Sequence, residues 1–289
     1  MSGPAIGARS EKTIEAIQGA NPPQRRRTPG AVRLLWWLVF LVGVLYFVVP
    51  LWGTLDFALK SKPFGSAFTA VLNDGKVVET LFFSFLAGLI TIVVSIVLIV
   101  PTAFWVRLRY PGLRPYVEFI TLLPFVIPTV VLVFGLLHTY SGQTPIPLGN
   151  SDTGLNILLI CAYVVLSFPY MYRAVDTGLR TIDIHSLTEA SQSLGAGWLR
   201  ILVQVILPNL RTSILSGAFL TLAIVIGEFT IATFLSRPAF APYLAIVGDV
   251  KPYEQAALAL VAFGLTWIAM ILIALVGRRS RTQIKVTVG

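Results

Sequence analysis

Six long apolar segments constrain this chain more than any other feature of its sequence. A helix needs about 20 apolar residues, with a range of roughly 17–25, to cross the hydrocarbon core of a bilayer. Only 12% of the residues are charged, against roughly 25% in soluble domains. We therefore predict an all-α polytopic membrane protein with six transmembrane helices. The predicted spans cover, to within a few residues, 34–55, 80–106, 117–140, 155–172, 210–235 and 256–276.

The distribution of lysine and arginine orients the predicted spans. The net charge is +9, and most arginines lie before the first span, in the second and fourth loops and after the last span. The other three loops hold a smaller basic set, Lys60, Lys62, Lys76, Arg237 and Lys251. Because lysine and arginine collect in short cytoplasmic loops, we predict that both termini and the fourth loop face the cytoplasm. This topology explains the basic charge without a nucleic-acid partner.

The sequence divides into one membrane domain and two polar ends. Residues 1–33 are rich in Gly, Pro and Arg and are predicted to form a disordered cytoplasmic tail. Residues 34–277 form the predicted six-span domain, and residues 278–289 form a basic cytoplasmic tail. The single cysteine, Cys161, lies within a predicted span, which excludes a disulfide framework and a cysteine metal site.

The fourth loop contains an amphipathic, charge-bearing stretch at residues 186–208. Ser186 and Glu189 have the S-x-x-E spacing of a capping box, which predicts a helix that begins near Leu187. Glycine adopts the left-handed backbone conformation without a steric penalty, so Gly195 is predicted to end this helix.

A second helical run is predicted from Trp198 to Ile206, where Pro208 ends it. On the first helix, Leu187, Ala190 and Leu194 are predicted to share one face. The whole stretch is therefore predicted to fold as a helix–turn–helix elbow outside the membrane, joined to the spans on each side.

The same stretch carries a spaced motif. It reads Glu189-Ala190-Ser191, then Gly195, then Val205-Ile206-Leu207-Pro208. The pattern resembles the signature of the cytoplasmic coupling loop in permease subunits of binding-protein-dependent ATP-binding cassette importers: E-A-A, three residues, G, nine residues, I-x-L-P. Ser191 and Val205 depart from that signature by a small and a conservative replacement. Together with the six predicted spans, the resemblance extends to nearly the whole chain.

The resemblance implies the fold of a type I importer permease and a place in the bacterial cytoplasmic (inner) membrane. The implied partners are a second permease, identical or homologous, a pair of ATPase subunits that hold ATP and Mg, and an extracytoplasmic substrate-binding protein. No catalytic, cofactor-binding or metal-binding residue is expected in this chain. The resemblance assigns ATPase coupling to Ser186, Glu189, Ala190, Ser191, Leu194, Gly195, Leu207 and Pro208.

Within that family, the chain most resembles the polyamine, opine, phosphonate and ferric-iron group. The features that carry this resemblance are the run that follows the motif in the fifth span and the compact third loop. A small polar solute of one of these kinds is therefore expected as the substrate.

The sequence lacks the motifs of ATP hydrolysis and of metal-dependent proteolysis. It contains no G-x-x-x-x-G-K-[ST] and no H-E-x-x-H. The two histidines, His138 and His185, lie on opposite sides of the membrane in the predicted topology. The chain is therefore predicted to be a non-enzymatic transport subunit that takes its energy from a partner ATPase.

A carboxylate, Glu228, lies within the fifth predicted span in the run IGEFTIATF. A charge at the bilayer centre costs roughly 2.5–3.5 kcal/mol on insertion scales, so Glu228 should face the bundle interior, a partner or a water-filled path. It is a candidate residue of the translocation pathway, where it suits a cationic substrate. Two alternatives stay open. In the first, Glu228 lies near the outer interface or makes a structural hydrogen bond. In the second, the chain is a stand-alone ion-coupled secondary transporter or channel that uses Glu228.

In other spans, Pro124, Pro128 and Pro169 are predicted to cause bends.

Overall fold

A computed structural model describes residues 30–140, 142 and 146–279 of the chain. Within these ranges the chain forms helices, turns and short irregular connections, and no β-strand. It divides into two compact units, Met1–Trp52 and Gly53–Gly289. Most of the two predicted polar tails lies outside the described residues, so the disorder of the N-terminal tail stays a prediction.

The first unit contains the beginning of helix α1 (Gly30–Leu59). All side chains from Leu34 to Pro50 are exposed, and the part Leu34–Leu59 is long and apolar enough to cross a membrane. A helix that is apolar on every side is typical of a membrane span. It corresponds to the first predicted span.

The second unit holds the remaining helices of the described chain. They are α2 (Ser66–Asn73), α3 (Gly75–Arg109), α4 (Arg114–Val126), α5 (Thr129–Tyr140), α6 (Asp152–Arg180), α7 (Ile184–Ser193), α8 (Trp198–Asn209), α9 (Arg211–Gly227), α10 (Thr230–Phe234), α11 (Phe240–Val250) and α12 (Pro252–Arg279). Four helices, α1, α3, α6 and α12, are each long and apolar enough to cross a membrane. Two bent pairs bring the candidate spans to at most six, the number predicted.

The third predicted span, residues 117–140, is broken in the middle. Helices α4 and α5 meet at an angle of 96°, and Ile127 between them is extended. Pro128 causes the break, because proline disfavours the helical conformation in the preceding residue and supplies no N–H. The predicted bend at Pro128 is confirmed, whereas Pro124 and Pro169 lie inside the continuous helices α4 and α6.

The fifth predicted span, residues 210–235, ends earlier than predicted. Helix α9 stops at Gly227, Glu228 is extended, and the short helix α10 follows. Glu228 therefore lies at a break between two helices and not inside a transmembrane helix. The predictions also missed helices α2 and α11, which lie in the first and fifth loops.

Helices α3, α6 and α9 pack closely around one buried cluster. A Cβ atom added to Gly178 of α6 would lie 2.3 Å from the Oγ of Ser213 on α9. Such small residues let membrane helices approach each other. Between α3 and α6, the hydroxyl oxygens of Ser95 and Ser167 lie 2.6 Å apart. The same cluster includes three residues of the fourth loop, Ile184, Ile201 and Ile206.

Candidate functional site

The predicted elbow is present between α6 and α9. Its first limb is α7, its second limb is α8, and a turn from Leu194 to Gly197 joins them. Both limbs contribute side chains to the buried cluster of α3, α6 and α9. The elbow is therefore packed against the long apolar helices.

The first limb begins at Ile184, earlier than predicted. Its N-cap is Asp183, whose carboxylate accepts the backbone N–H of Ser186 at 3.2 Å and the Ser186 hydroxyl at 2.7 Å. The predicted capping box of Ser186 and Glu189 is wrong, because the carboxylate three residues upstream caps the helix first. These hydrogen bonds lower the pKa of the Asp183 carboxyl. The cap is therefore retained at neutral pH and lost as the pH falls through that lowered pKa.

The turn after α7 is a Schellman motif at Gly195. Its φ angle is 79°, and its N–H donates to the carbonyl of Gln192 at 2.8 Å. The N–H of Ala196 donates to the carbonyl of Ser191 at 3.0 Å. These two bonds satisfy carbonyl groups that a helix end leaves free. The prediction that Gly195 ends the helix is confirmed, and a residue with a Cβ is strained there.

The second limb continues through Pro208. It is π-helical over Ile201–Ile206 and α-helical again over Leu207–Asn209. Proline supplies no N–H and its ring clashes with the preceding turn, and the wider π-turn over Ile201–Ile206 lies just before Pro208. The side-chain amide of Asn209 donates to the carbonyl of Val205 at 2.7 Å. The prediction that Pro208 ends this limb is wrong. The limb ends after Asn209, where α9 leaves at 77°.

One face of the elbow is buried. Ile184 and Thr188 of α7 are each 3% exposed. Ile201 and Ile206 of α8 are fully buried. Ser191 is half-buried, and its hydroxyl donates to a backbone carbonyl of its own helix at 2.6 Å. This face fixes the elbow to the rest of the unit.

The opposite face carries most of the predicted coupling residues. Leu194 is 89% exposed and Leu199 is 76% exposed. Glu189 and Ala190 are also exposed, whereas Leu187, predicted on the same face, is half-buried. In the described part of the chain, the carboxylate of Glu189 has no hydrogen bond or ion pair. Large exposed apolar side chains beside an unused carboxylate are typical of a protein-contact surface.

An aromatic contact joins the elbow to α3. The rings of Trp105 on α3 and Trp198 on α8 have centroids 4.8 Å apart. The guanidinium of Arg109 lies 5.8 Å from the first centroid and 5.4 Å from the second. A cation–π contact at an exposed site contributes about 0.5–1 kcal/mol. Sequence reasoning missed this contact, because its members are far apart in the chain and no local pattern pairs them.

A buried carboxylate on α6, Asp176, binds three arginines just before the elbow. One oxygen, Oδ1, accepts from Arg107 of α3 at 3.3 Å, and Oδ2 accepts from Arg114 of α4 at 3.0 Å and Arg180 of α6 at 2.7 Å. Asp176 itself is 8% exposed. The cluster ties three helices together at one end. From the sequence, these arginines serve only as topology signals, because Arg107 and Arg114 lie 69 and 62 residues from Asp176 in the chain.

The comparisons with known proteins agree with this geometry. Residues 96–282 match the family model of the binding-protein-dependent transport system inner membrane component. The chain belongs to this family. A permease of the family is a multi-pass inner membrane subunit without enzymatic activity, and its ATPase is a partner subunit.

Individual relatives and a solved structure extend the match to most of the chain. The permease is 32% identical over 217 residues to a probable molybdenum ABC transporter permease of Haloferax volcanii, covering 71% of this chain and 77% of that protein. It is 34% identical over 132 residues to a probable sulfate transport system permease of Chlorokybus atmophyticus, covering 43% and 46%. A bacterial ABC transporter that imports alginate has the same fold, with a TM-score of 0.66, 15% identity and coverage of 94% and 99%.

In the permease, Glu228 caps a helix. Its two carboxylate oxygens accept the backbone N–H of Ile231 at 3.0 and 2.9 Å, and one of them accepts the N–H of Ala232 at 3.2 Å. These amides begin α10, and the first N–H groups of a helix have no partner within it. These contacts support the alternative that Glu228 makes a structural hydrogen bond. A role of Glu228 in the translocation pathway stays a prediction.

We predict that Asp176→Asn destabilises the permease more than loss of an exposed ion pair. Breaking a buried pair costs about 3–5 kcal/mol, but the arginines are partly exposed, so we expect about 2 kcal/mol. The matched control is Asp56→Asn, which removes an exposed pair with Lys60 and should cost less than about 1 kcal/mol. The measurement is the thermal unfolding midpoint of the detergent-solubilised permease. Equal shifts for the two variants would contradict a structural role for the Asp176 cluster.

Proposed function

We propose that this permease forms the translocation pathway of an importer for a tetrahedral oxyanion such as molybdate or sulfate. The molybdenum and sulfate permeases among its relatives support this substrate class. The comparisons give no support to the expected polyamine, opine, phosphonate or ferric-iron substrates. A stand-alone secondary transporter or channel is not favoured, because the family works with a separate ATPase.

The contacts of Glu228 weaken the case for a cationic substrate. That case assumed a carboxylate available to line the pathway. Both oxygens of Glu228 are instead engaged by backbone N–H groups of α10. Hydrogen bonds from the free amides of a helix N-terminus stabilise such a carboxylate within the chain. An anionic substrate is therefore compatible with this position.

In the proposed complex, the exposed face of the elbow, which lies opposite its buried face and is called the open face below, docks into an ATPase subunit that holds ATP and Mg. Glu189, Ala190 and Leu194 make the contact, and Gly195 sets the angle of the turn behind them. The remaining motif residues, Ser186, Ser191, Leu207 and Pro208, shape the two limbs. A second permease, identical or homologous, and an extracytoplasmic substrate-binding protein complete the assembly.

The packing of the elbow against the spans couples ATP binding by the ATPase to movement of the spans. ATP binding closes the ATPase pair, and the elbow moves with the ATPase surface on which it is seated. The buried face of the elbow then moves α3, α6 and α9, so the pathway opens to one side or the other. The permease contributes a two-state element, and the ATPase shifts its equilibrium.

We predict ATP-dependent uptake of molybdate or sulfate by the complete complex in proteoliposomes. Spermidine should not be taken up. Glu228→Gln should retain oxyanion uptake, because the amide oxygen still accepts the N–H groups of α10. Glu228→Ala should lose the cap and about 1 kcal/mol of stability. The measurement is uptake of radiolabelled substrate with the binding protein outside and ATP inside. ATP-dependent uptake of spermidine that Glu228→Gln abolishes would reject the oxyanion proposal.

We predict that Glu189→Gln and Glu189→Ala impair transport to a similar extent. Because Glu189 is not part of the helix cap, neither change should alter folding or the unfolding midpoint. Loss of one partner of a buried interfacial charge pair costs about 2–5 kcal/mol, so assembly with the ATPase should weaken strongly. Asp183→Ala is the control, since it removes the actual cap and lowers stability. Copurification of the ATPase and transport are measured together. Wild-type values for both Glu189 variants would place the coupling charge elsewhere.

A further inference from the structure

A cavity lies between α4 and α6, beside the Asp176 cluster. Its volume is about 110 Å³, which is room for several non-hydrogen atoms, since one water needs about 10–15 Å³ on the same measure. Its polar lining residues are Glu118, Thr121, Tyr172, Arg173, Thr177 and Arg180, together with Asp176. It lies at the end of α6 that leads into the elbow, which is the predicted cytoplasmic side.

The cationic groups around this cavity exceed the anionic ones. Asp176 is neutralised by the arginines that it binds. Arg173 lines the cavity and has no hydrogen bond or ion pair with any described residue. Together with Arg107, Arg114 and Arg180 it gives four guanidinium groups against the two carboxylates of Asp176 and Glu118. Two positive charges are left in excess.

Two hydrogen-bond donors near the cavity have no partner in the described chain. Tyr172 lines the cavity, and its hydroxyl makes no hydrogen bond within the described residues. Arg114 reaches the Asp176 carboxylate at the cavity wall, and its Nε is buried and unpartnered. A buried donor without an acceptor costs free energy, so a native structure usually supplies one. A ligand with several acceptor oxygens would satisfy these groups.

The side of the cavity toward the membrane is apolar. Leu122 and Pro169 line it there. Next to it on the same two helices, Phe125 and Tyr170 make an edge-to-face contact with centroids 5.4 Å apart. A basic pocket between membrane helices with an apolar rim is the arrangement that accepts a phospholipid headgroup.

We propose that this cavity binds a tetrahedral oxyanion, supplied either free in the cytoplasm or as the phosphate of an anionic phospholipid headgroup. Arg173 binds the anion directly, and the Tyr172 hydroxyl donates to it. Glu118 opposes binding, because it places a like charge at the same cavity. The proposal does not depend on the transported substrate, since it concerns a site beside the elbow and requires only the oxyanion group.

The test uses the full-length permease copurified with its ATPase and compares three variants. Arg173→Gln removes the free guanidinium without touching the ion pairs of Asp176. Glu118→Gln removes the opposing charge. Lys76→Gln, at the other end of α3, removes a positive charge far from the cavity. One arm measures retention of phosphatidylglycerol by native mass spectrometry. The other measures the unfolding midpoint in phosphatidylcholine nanodiscs with added sulfate, phosphate or molybdate.

Arg173→Gln should weaken binding about fivefold, as expected for one basic residue near an anionic group, and Glu118→Gln should tighten it. Lys76→Gln should leave it unchanged. An effect confined to phosphatidylglycerol identifies the lipid as the source, and an effect confined to the free ions identifies the soluble oxyanion. If neither arm separates Arg173→Gln and Glu118→Gln from Lys76→Gln, the proposed site does not exist. Should Arg173→Gln fail to fold, the Glu118→Gln arm decides alone.

Discussion

The structure depends on one constraint, which is that a chain in lipid must satisfy its own backbone hydrogen bonds. Helices do this along their length, so the points that need explanation are the breaks. At the end of α9, Glu228 accepts the free N–H groups of α10. At the end of α8, the side-chain amide of Asn209 donates to the backbone carbonyl of Val205. Where α11 begins, its first N–H donates to the hydroxyl of Ser84 on α3 at 2.8 Å. At each of these places, a polar side chain forms a hydrogen bond with a backbone group.

The same logic explains why the elbow is a rigid piece. Asp183 satisfies the start of its first limb, and the Schellman bonds at Gly195 satisfy the end. Its buried face joins the core of α3, α6 and α9, while Trp105, Trp198 and Arg109 hold the second limb from outside. Displacement of the elbow without the spans would break both sets of contacts. A motion imposed on its open face is therefore transmitted to the helices behind it.

Much of this arrangement could be predicted from the sequence, because spans, loops and the motif are local patterns. The helix stop at Gly195 is of that kind. The errors have physical causes. Ser186 has the right spacing for a cap, but Asp183 lies upstream and begins the helix earlier, so the N–H of Ser186 is itself capped. Glu228 reads as a carboxylate in mid-span, because the apolar run continues beyond Gly227 to Leu235 and masks the end of α9. The arginines around Asp176 come from three helices, and only the fold brings them together. The expected polyamine, opine, phosphonate or ferric-iron substrates rested on a resemblance within the family, and the relatives do not support them.

The central claim is that the elbow and the spans move as one body during the ATPase cycle. It is tested most directly by electron–electron distance measurement between spin labels at Leu194 and Tyr110, both exposed, in a Cys161→Ser background. Leu194 reports the open face of the elbow, and Tyr110 reports the end of α3. The complete complex is measured without nucleotide and again when trapped with ATP. A rigid elbow predicts the same distance distribution in both states. A distribution that shifts between them would show that the elbow swings on its own hinge, and would contradict the account.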